Sequence, residues 1–351
     1  MGKGEKLTME KIKLTIPSSS YHIGQITTGV LMLREQGCPV EIVDQSRNPG
    51  NPFYALPLAV IDYQGKKLVY DLWDGYQNPD GMQLALQDCD FYFKRSFDPE
   101  RNARLFPQYA EKMHPLGLYY RVTHPGNPAN EPLWKCAARL VLGKTPDRYF
   151  TPAVFEGNAE DRGGAAPRIL FLTQLWDDQD PAISREDQLE RSFINQMRIE
   201  VIQTLRDKFG SQFVGGLSDT ALSRGLAPEL IMDKAYTERR RYIALVHESD
   251  ICIGSMGLYE SIGGKTGEYV AAAKAIVNER LHYVPTGDFA AGQNYLPFEN
   301  ARECVAAVEQ LAGDPEARLQ MQQANRDYYI RYLRPDMLVK NTLDIAAGLP
   351  G

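Results

Sequence analysis

At 351 residues the chain is long for one hydrophobic core and comfortable for two. Its 43% hydrophobic and 24% charged residues are ordinary globular composition; with a net charge of −6 and no Lys/Arg cluster, no nucleic-acid partner is expected. Five scattered cysteines without a C-x-x-C exclude a zinc or redox motif, and no apolar stretch approaches the roughly 20 residues needed to span a bilayer.

The pattern MGKGEKLTMEKIKL lacks the apolar h-region of a signal peptide. A cytoplasmic protein is expected, with peripheral contact at the inner face of a membrane left open. Alternation over residues 12–16 predicts a strand. After the Ser18-Ser19-Ser20 turn, residues 23–36 carry Ile26, Val30, Leu31 and Leu33 on one helical face, and Gly37 ends that helix. Residues 40–43 read as a second strand, which completes a β-α-β unit. Residues 56–63 and 67–73 flank Gln64-Gly65 as a hairpin, and residues 89–93 and 116–122 read as further strands. A helix is expected to end near Leu142. Residues 144–167, with Pro146, Pro152 and a Gly-rich stretch, read as an interdomain linker.

A fresh α/β pattern then begins. Residues 168–172, 213–215, 250–254 and 275–277 are expected strands; 186–209, 237–247, 267–273, 304–311 and 315–332 are expected helices. Pro335 breaks the chain before a last helix over 337–347. The expected domains are therefore 1–150, 151–334 and a terminal helix in 335–351.

The richest stretch runs from Gly254 to Glu268 and joins a strand to a helix. Gly257, Gly263, Gly264 and Gly267 let backbone N–H groups approach a ligand, and the helix start offers its dipole to a phosphate. Lys265 adds a positive charge. Glu260 and Glu268 flank this anion site, and carboxylates there suit hydroxyl donors. The combination describes a diphosphate with polyol groups on both sides. Gly24 and Gly29 with Asp44 suggest a dinucleotide site superficially, but G-x-G-x-x-G is absent.

The stretch from Glu260 to Val277 resembles the Glu-x7-Glu region of retaining GT-B glycosyltransferases. Glu260, Glu268, Ala271 and Val277 match, whereas Ser261, Tyr269, Ala273 and Ala275 depart from that pattern. The resemblance implies a GT-B-like α/β fold, with two Rossmann-like domains facing across a cleft and the last helix crossing back to the first domain. It implies transfer of a glycosyl group from a nucleotide sugar to a glycan, lipid-linked or small-molecule hydroxyl acceptor, retaining and without metal or cofactor.

By resemblance Glu260 contacts the donor sugar, Glu268 the ribose, and Lys265 the diphosphate. Gly257, Leu258, Ser261, Gly263, Gly264 and Thr266 complete the donor loop. Of Arg185, Arg191 and Arg198, Arg198 is taken to stand in for a basic residue that the family has near the first donor-domain strand; Trp176, read from the residue itself, packs on the base or fills the domain interface. On the acceptor side His22 is a candidate catalytic residue beside Glu260 and Lys265, or else a helix-start residue without chemistry; Gly24 opens that helix, Asp74 belongs to the cluster Asp71, Trp73, Asp74 and Tyr76, and Lys94 and Arg95 follow a strand. His114, His124, His247 and His282 show no metal spacing. An epimerase of the same fold and a non-catalytic sugar-nucleotide scaffold remain the alternatives.

Overall fold

Burial alternates along β1 (Ile12–Ile16), which turns its three apolar side chains inward. A 3-10 turn leads into α1 (Gly24–Glu35); Gly37, at φ 98°, ends it, and β2 (Val40–Asp44) returns parallel to β1. The β-α-β unit is present. β3 (Leu58–Tyr63) and β4 (Lys66–Asp71) form the expected hairpin, with Gln64 and Gly65 both at positive φ as a type I′ turn requires. α2 (Pro79–Gln87), β5 (Phe91–Lys94), α3 (Pro99–Leu105) and β6 (Met113–Pro115) follow. The computed structural model describes residues 10–18, 20–54, 56–142, 145–161, 163 and 165–349. Ser19 of the predicted turn and Lys144, Arg162 and Gly164 of the predicted linker lie outside these.

The first sheet has the order β2-β1-β3-β4-β5-β6. It is parallel except for β3, which runs against β1 and β4, so the domain is a mixed variant of the expected layout. Residues 116–122, predicted as a strand, join no ladder among the described residues. Their alternation has another cause. Leu118, Tyr120 and Val122 enter an apolar cluster with Leu170, Tyr242, Tyr269 and Val270 of the second domain. A segment that crosses between two cores shows strand-like patterning without a strand partner.

α4 (Leu133–Val141) and α5 (Pro152–Phe155) precede the second domain. There β7 (Ile169–Thr173) leads into α6 (Arg185–Phe209), a 25-residue helix that Ser184 caps by accepting from Asp187 N–H. β8 (Phe213–Leu217), α7 (Ala221–Leu226), α8 (Lys234–Thr237), α9 (Arg239–Glu248), β9 (Ile251–Gly254), α10 (Gly264–Ala271), β10 (Ala275–Glu279), β11 (Leu296–Phe298), α11 (Ala301–Gly313) and α12 (Pro315–Tyr328) complete it. Its sheet is wholly parallel, in the order β11-β10-β9-β7-β8. The order reverses between β7 and β9, and ligands of open α/β sheets bind beyond the strand ends at such a point.

α12 continues through a π turn, Tyr329–Leu333, into α13 (Pro335–Ala346). α13 lies on the first domain. Leu338, Val339, Leu343 and Ala346 share a core with Ile12, Leu14 and Ile26. The approach to α1 is close: a Cβ on Gly29 would stand 2.1 Å from Pro335 O. Tyr70 Oη and Thr342 Oγ1 share a hydrogen bond of 2.6 Å beneath it. Two Rossmann-like α/β domains thus face each other, tied by α13 and by the apolar cluster.

Candidate functional site

At the switch point the loops leaving β7 and β9 diverge, and α6 sends Arg198 between them. Its guanidinium donates to Gln174 O at 2.5 Å, Ser255 Oγ at 3.1 Å and Met256 O at 2.9 Å. Burial lowers its pKa to about 10. These three bonds occupy the group that the sequence assigned to phosphate. Arg198 lines the cleft but acts first as a brace that holds its two walls. Asn195, one turn earlier on α6, pins Trp176 through both its backbone N–H and its C=O.

A cleft of about 370 Å³ opens above this brace. Its second-domain wall includes Trp176, Gly257, Leu258, Ser261, Gly263, Gly264, Lys265 and Glu268; its first-domain wall includes His22, Asp74 and Arg95. The structure therefore brings together most of the residues singled out in the sequence. Thr266 is an exception. It is buried, and its hydroxyl donates to Asn278 Oδ1 at 2.9 Å behind the loop. The acceptor-side cluster also splits. Asp71 is buried against Lys94 at 2.8 Å, so both serve the loop after β4, while Asp74 pairs with Arg95 at 2.6 Å on the cleft wall.

Sequence reasoning missed Arg121 and Arg239, both in the cleft lining. Arg121 was a lone charge in an apolar run. Arg239 is the first of three arginines that open α9, whose cap is Glu238. With them the lining holds five basic side chains (Arg95, Arg121, Arg198, Arg239, Lys265) against two acids, Asp74 and Glu268. Lys265 donates to Leu172 O and lies 5.0 Å from the Tyr242 ring centroid. Burial, with Arg198 and Arg239 nearby, outweighs Glu268 and lowers its pKa to about 8. One Glu268 oxygen pairs with Arg239 at 2.6 Å; the other is buried without a partner among the described residues.

Unsatisfied groups concentrate here. Buried and unpartnered among the described residues are Glu268 Oε2, Trp176 Nε1, His22 Nδ1, Arg95 Nε and Tyr119 Oη, all on residues of this lining. Such atoms cost free energy unless a ligand or ordered water meets them. Burial, reinforced by Arg95, lowers the His22 pKa to about 4, so the ring is neutral at pH 7. A neutral imidazole suits donation or acceptance at a hydroxyl better than pairing with phosphate.

The glycines have a second cause. A Cβ on Gly267 would meet Tyr119 O at 2.3 Å, because residues 119–120 cross the start of α10. Gly267 is thus required by the chain's own backbone. Gly263 and Gly264 remain on the cleft wall.

Glu260 goes elsewhere. Tyr259 and Glu260 both have left-handed backbones, φ 59° and 60°, which costs about 1–3 kcal/mol at each non-glycine position. That turn aims Glu260 away from the donor loop into a separate cleft of about 740 Å³. There it pairs with Arg101 of the first domain at 2.6 Å, and Arg101 also donates to Tyr283 Oη. Six acids line this cleft (Glu186, Asp187, Glu190, Glu260, Glu279, Glu299), against Arg101 and Arg280. Among the described residues no group of three His, Cys, Asp or Glu side chains is placed to hold a metal ion.

Gly24 also stands outside the main cleft. It lines a polar pocket of about 140 Å³ at the carboxyl end of β1, with Ser18, Ser20, Asn127 and Asn130. Tyr21, Arg121 and Arg239 line both spaces, so the pocket adjoins the cationic cleft.

No family model and no curated protein sequence matches this chain. Among solved structures it is similar to the Anabaena protein HepE in complex with UDP, at 11% identity over 97% of this chain and 100% of that one, TM-score 0.46. It is also similar to a glycosyltransferase from Rickettsia africae, at 13% identity over 97% and 98%, TM-score 0.44. A Listeria monocytogenes structure described as a UDP-N-acetylglucosamine 2-epimerase matches at 11% over 97% and 96%, TM-score 0.43.

Proposed function

We propose that this chain is a glycosyltransferase that takes a sugar from a nucleotide diphosphate sugar. The observation that carries the reading is the cationic cleft at the switch point, with five unpartnered buried polar atoms on its lining. A diphosphate meets Lys265, Arg239 and the start of α10; ribose hydroxyls meet the free oxygen of Glu268; a base meets Trp176. His22, Asp74 and Arg95 face the donor from the other domain. Departure of the diphosphate builds negative charge, and fixed cations in a water-poor cleft stabilise that charge. Metal-independence and retention belong to the same proposal. Retention follows from the Glu-x7-Glu resemblance, whereas Glu260, which the resemblance places on the donor sugar, faces the acidic cleft.

An epimerase uses the same donor cleft. Transfer is favoured by the adjoining polar pocket at Gly24, since a second substrate needs a second site and an epimerase does not. Thermal-shift measurement against a panel of nucleotides and nucleotide sugars tests the cleft. Stabilisation by a nucleoside diphosphate and its sugar is expected, and none from any member overturns the proposal. Product analysis with and without a hydroxyl acceptor then separates transfer from epimerisation.

A further inference from the structure

α4 is packed unlike the other helices of eight or more residues, each of which buries at least three side chains. At 3.6 residues per turn, Leu133, Trp134, Ala137, Leu140 and Val141 share one face, and Lys135 and Arg139 lie on the opposite one. A surface helix ordinarily packs its apolar stripe inward. Here the stripe points outward: Val141 is 87% exposed, and Leu133 and Trp134 are each 69% exposed. Cys136 is the helix's one buried residue. Leu142, just beyond, is 72% exposed.

Two features of the helix identify what covers the stripe. The first is charge. α4 contains two basic residues and no acid; Arg139 pairs with Glu131 just before the helix at 3.4 Å, and Lys135 is exposed, so Lys135 carries the match to an anionic surface. Tryptophan beside lysine, with the Lys135 ammonium 5.4 Å from the Trp134 ring centroid, is suited to the boundary between hydrocarbon and headgroups. The second is area. A nine-residue helix is only about 14 Å long, and its stripe offers a few hundred Å² at most, well short of the roughly 800 Å² per partner of a stable protein interface. A lipid surface requires no such complementary area.

We propose that α4 seats the protein on an anionic lipid surface, with its apolar stripe in the headgroup boundary and the long Lys135 side chain reaching back from the far face to the phosphates. Cys136 and the adjacent Glu131 line the polar pocket at Gly24, so the seat lies beside that pocket. On the transferase reading given above, the acceptor hydroxyl is then one carried at the lipid surface.

The test is flotation of the full chain with phosphatidylcholine vesicles, alone or with about 30% phosphatidylglycerol. Wild type floats with the anionic vesicles and releases at high salt. Trp134→Ser with Val141→Ser lowers that partition at least about tenfold, with unchanged thermal stability because both side chains are exposed. Lys135→Glu with Arg139→Glu removes the preference for phosphatidylglycerol. Equal flotation of wild type and the serine variant overturns the proposal, as does no flotation of wild type. A wild-type dimer that the serine variant makes monomeric, without vesicle binding, also overturns it and assigns the stripe to a second copy. Nucleotide thermal shifts on the same preparations report separately on the donor cleft.

Discussion

Two clefts flank the Tyr259-Glu260 turn, and they are unlike. The larger, at about 740 Å³, is acidic, and no residue of its lining is among the described residues with a buried unpartnered side-chain atom. The smaller, at about 370 Å³, is cationic, and five residues of its lining carry such an atom. Volume and unmet polar demand therefore rank the two clefts in opposite order. The clefts differ in unmet polar demand: the carboxylates of the acidic cleft face water or, like the buried Glu279, accept from a backbone N–H, whereas Glu268, Trp176 and His22 hold buried polar atoms with no partner among the described residues.

The most severe test of this contrast is Lys265→Ala. It should lower turnover of a nucleotide sugar about 10²–10³-fold, as loss of one fixed positive group in a buried site does; steady-state kinetics checks it. Glu268→Ala comes next. It leaves Arg239 largely buried without its carboxylate, which should cost on the order of 3 kcal/mol of stability, read by denaturant unfolding, and weaken nucleotide binding.

A pH titration follows. The fold favours the neutral Lys265 amine above about pH 8, so nucleoside diphosphate affinity should fall about tenfold between about pH 7 and pH 9. Over the window from about 8 to the ordinary lysine value of 10.5, the unfolded chain holds a proton that the folded chain lacks, so this group's contribution to folding stability rises with pH. Binding and stability should therefore move in opposite directions, and Lys265→Arg should flatten both. Calorimetry of binding and chemical unfolding across that range decide it.

Gly267→Ala should destabilise by about 1–3 kcal/mol through its clash with Tyr119 O, visible as a lower Tm. The smallest effect belongs to the acidic cleft. Glu260→Ala should change donor affinity less than about twofold and stability by less than about 1 kcal/mol, since Glu260 and Arg101 are each more than a third exposed and screened. A hundredfold loss of turnover in this variant would bring Glu260 into the donor cleft and break the contrast.

The regular elements were legible where one physical cause acted alone. The alternation in Ile12–Ile16, the period of α1, the Gln64-Gly65 turn and the stop at Gly210 each follow from local backbone or burial preference. Misreadings arose where two causes overlapped. Leu118, Tyr120 and Val122 alternate because they insert into the other domain, not because they pair in a sheet. α10 begins three residues before its predicted start, since Gly264 and Gly267 look like turn residues while the constraint on Gly267 is the backbone passing at Tyr119. The cationic cleft was legible through Lys265 and Glu268, which lie on one helix. Arg121 and Arg239 come from distant segments and carried no local signal. The direction of Glu260 depends on two left-handed residues that no composition rule predicts for Tyr and Glu.

α13 has a consequence for how the protein comes into being. The core of the first domain includes Leu338, Val339, Leu343 and Ala346, residues that follow the second domain in sequence. During synthesis at about 5–20 residues per second, the second domain can close as a unit while the first still exposes α1 and the face of β1. The domain that comes earlier in sequence is therefore completed after the one that follows it, and a ribosome that stalls within α13 leaves that earlier domain with an open core.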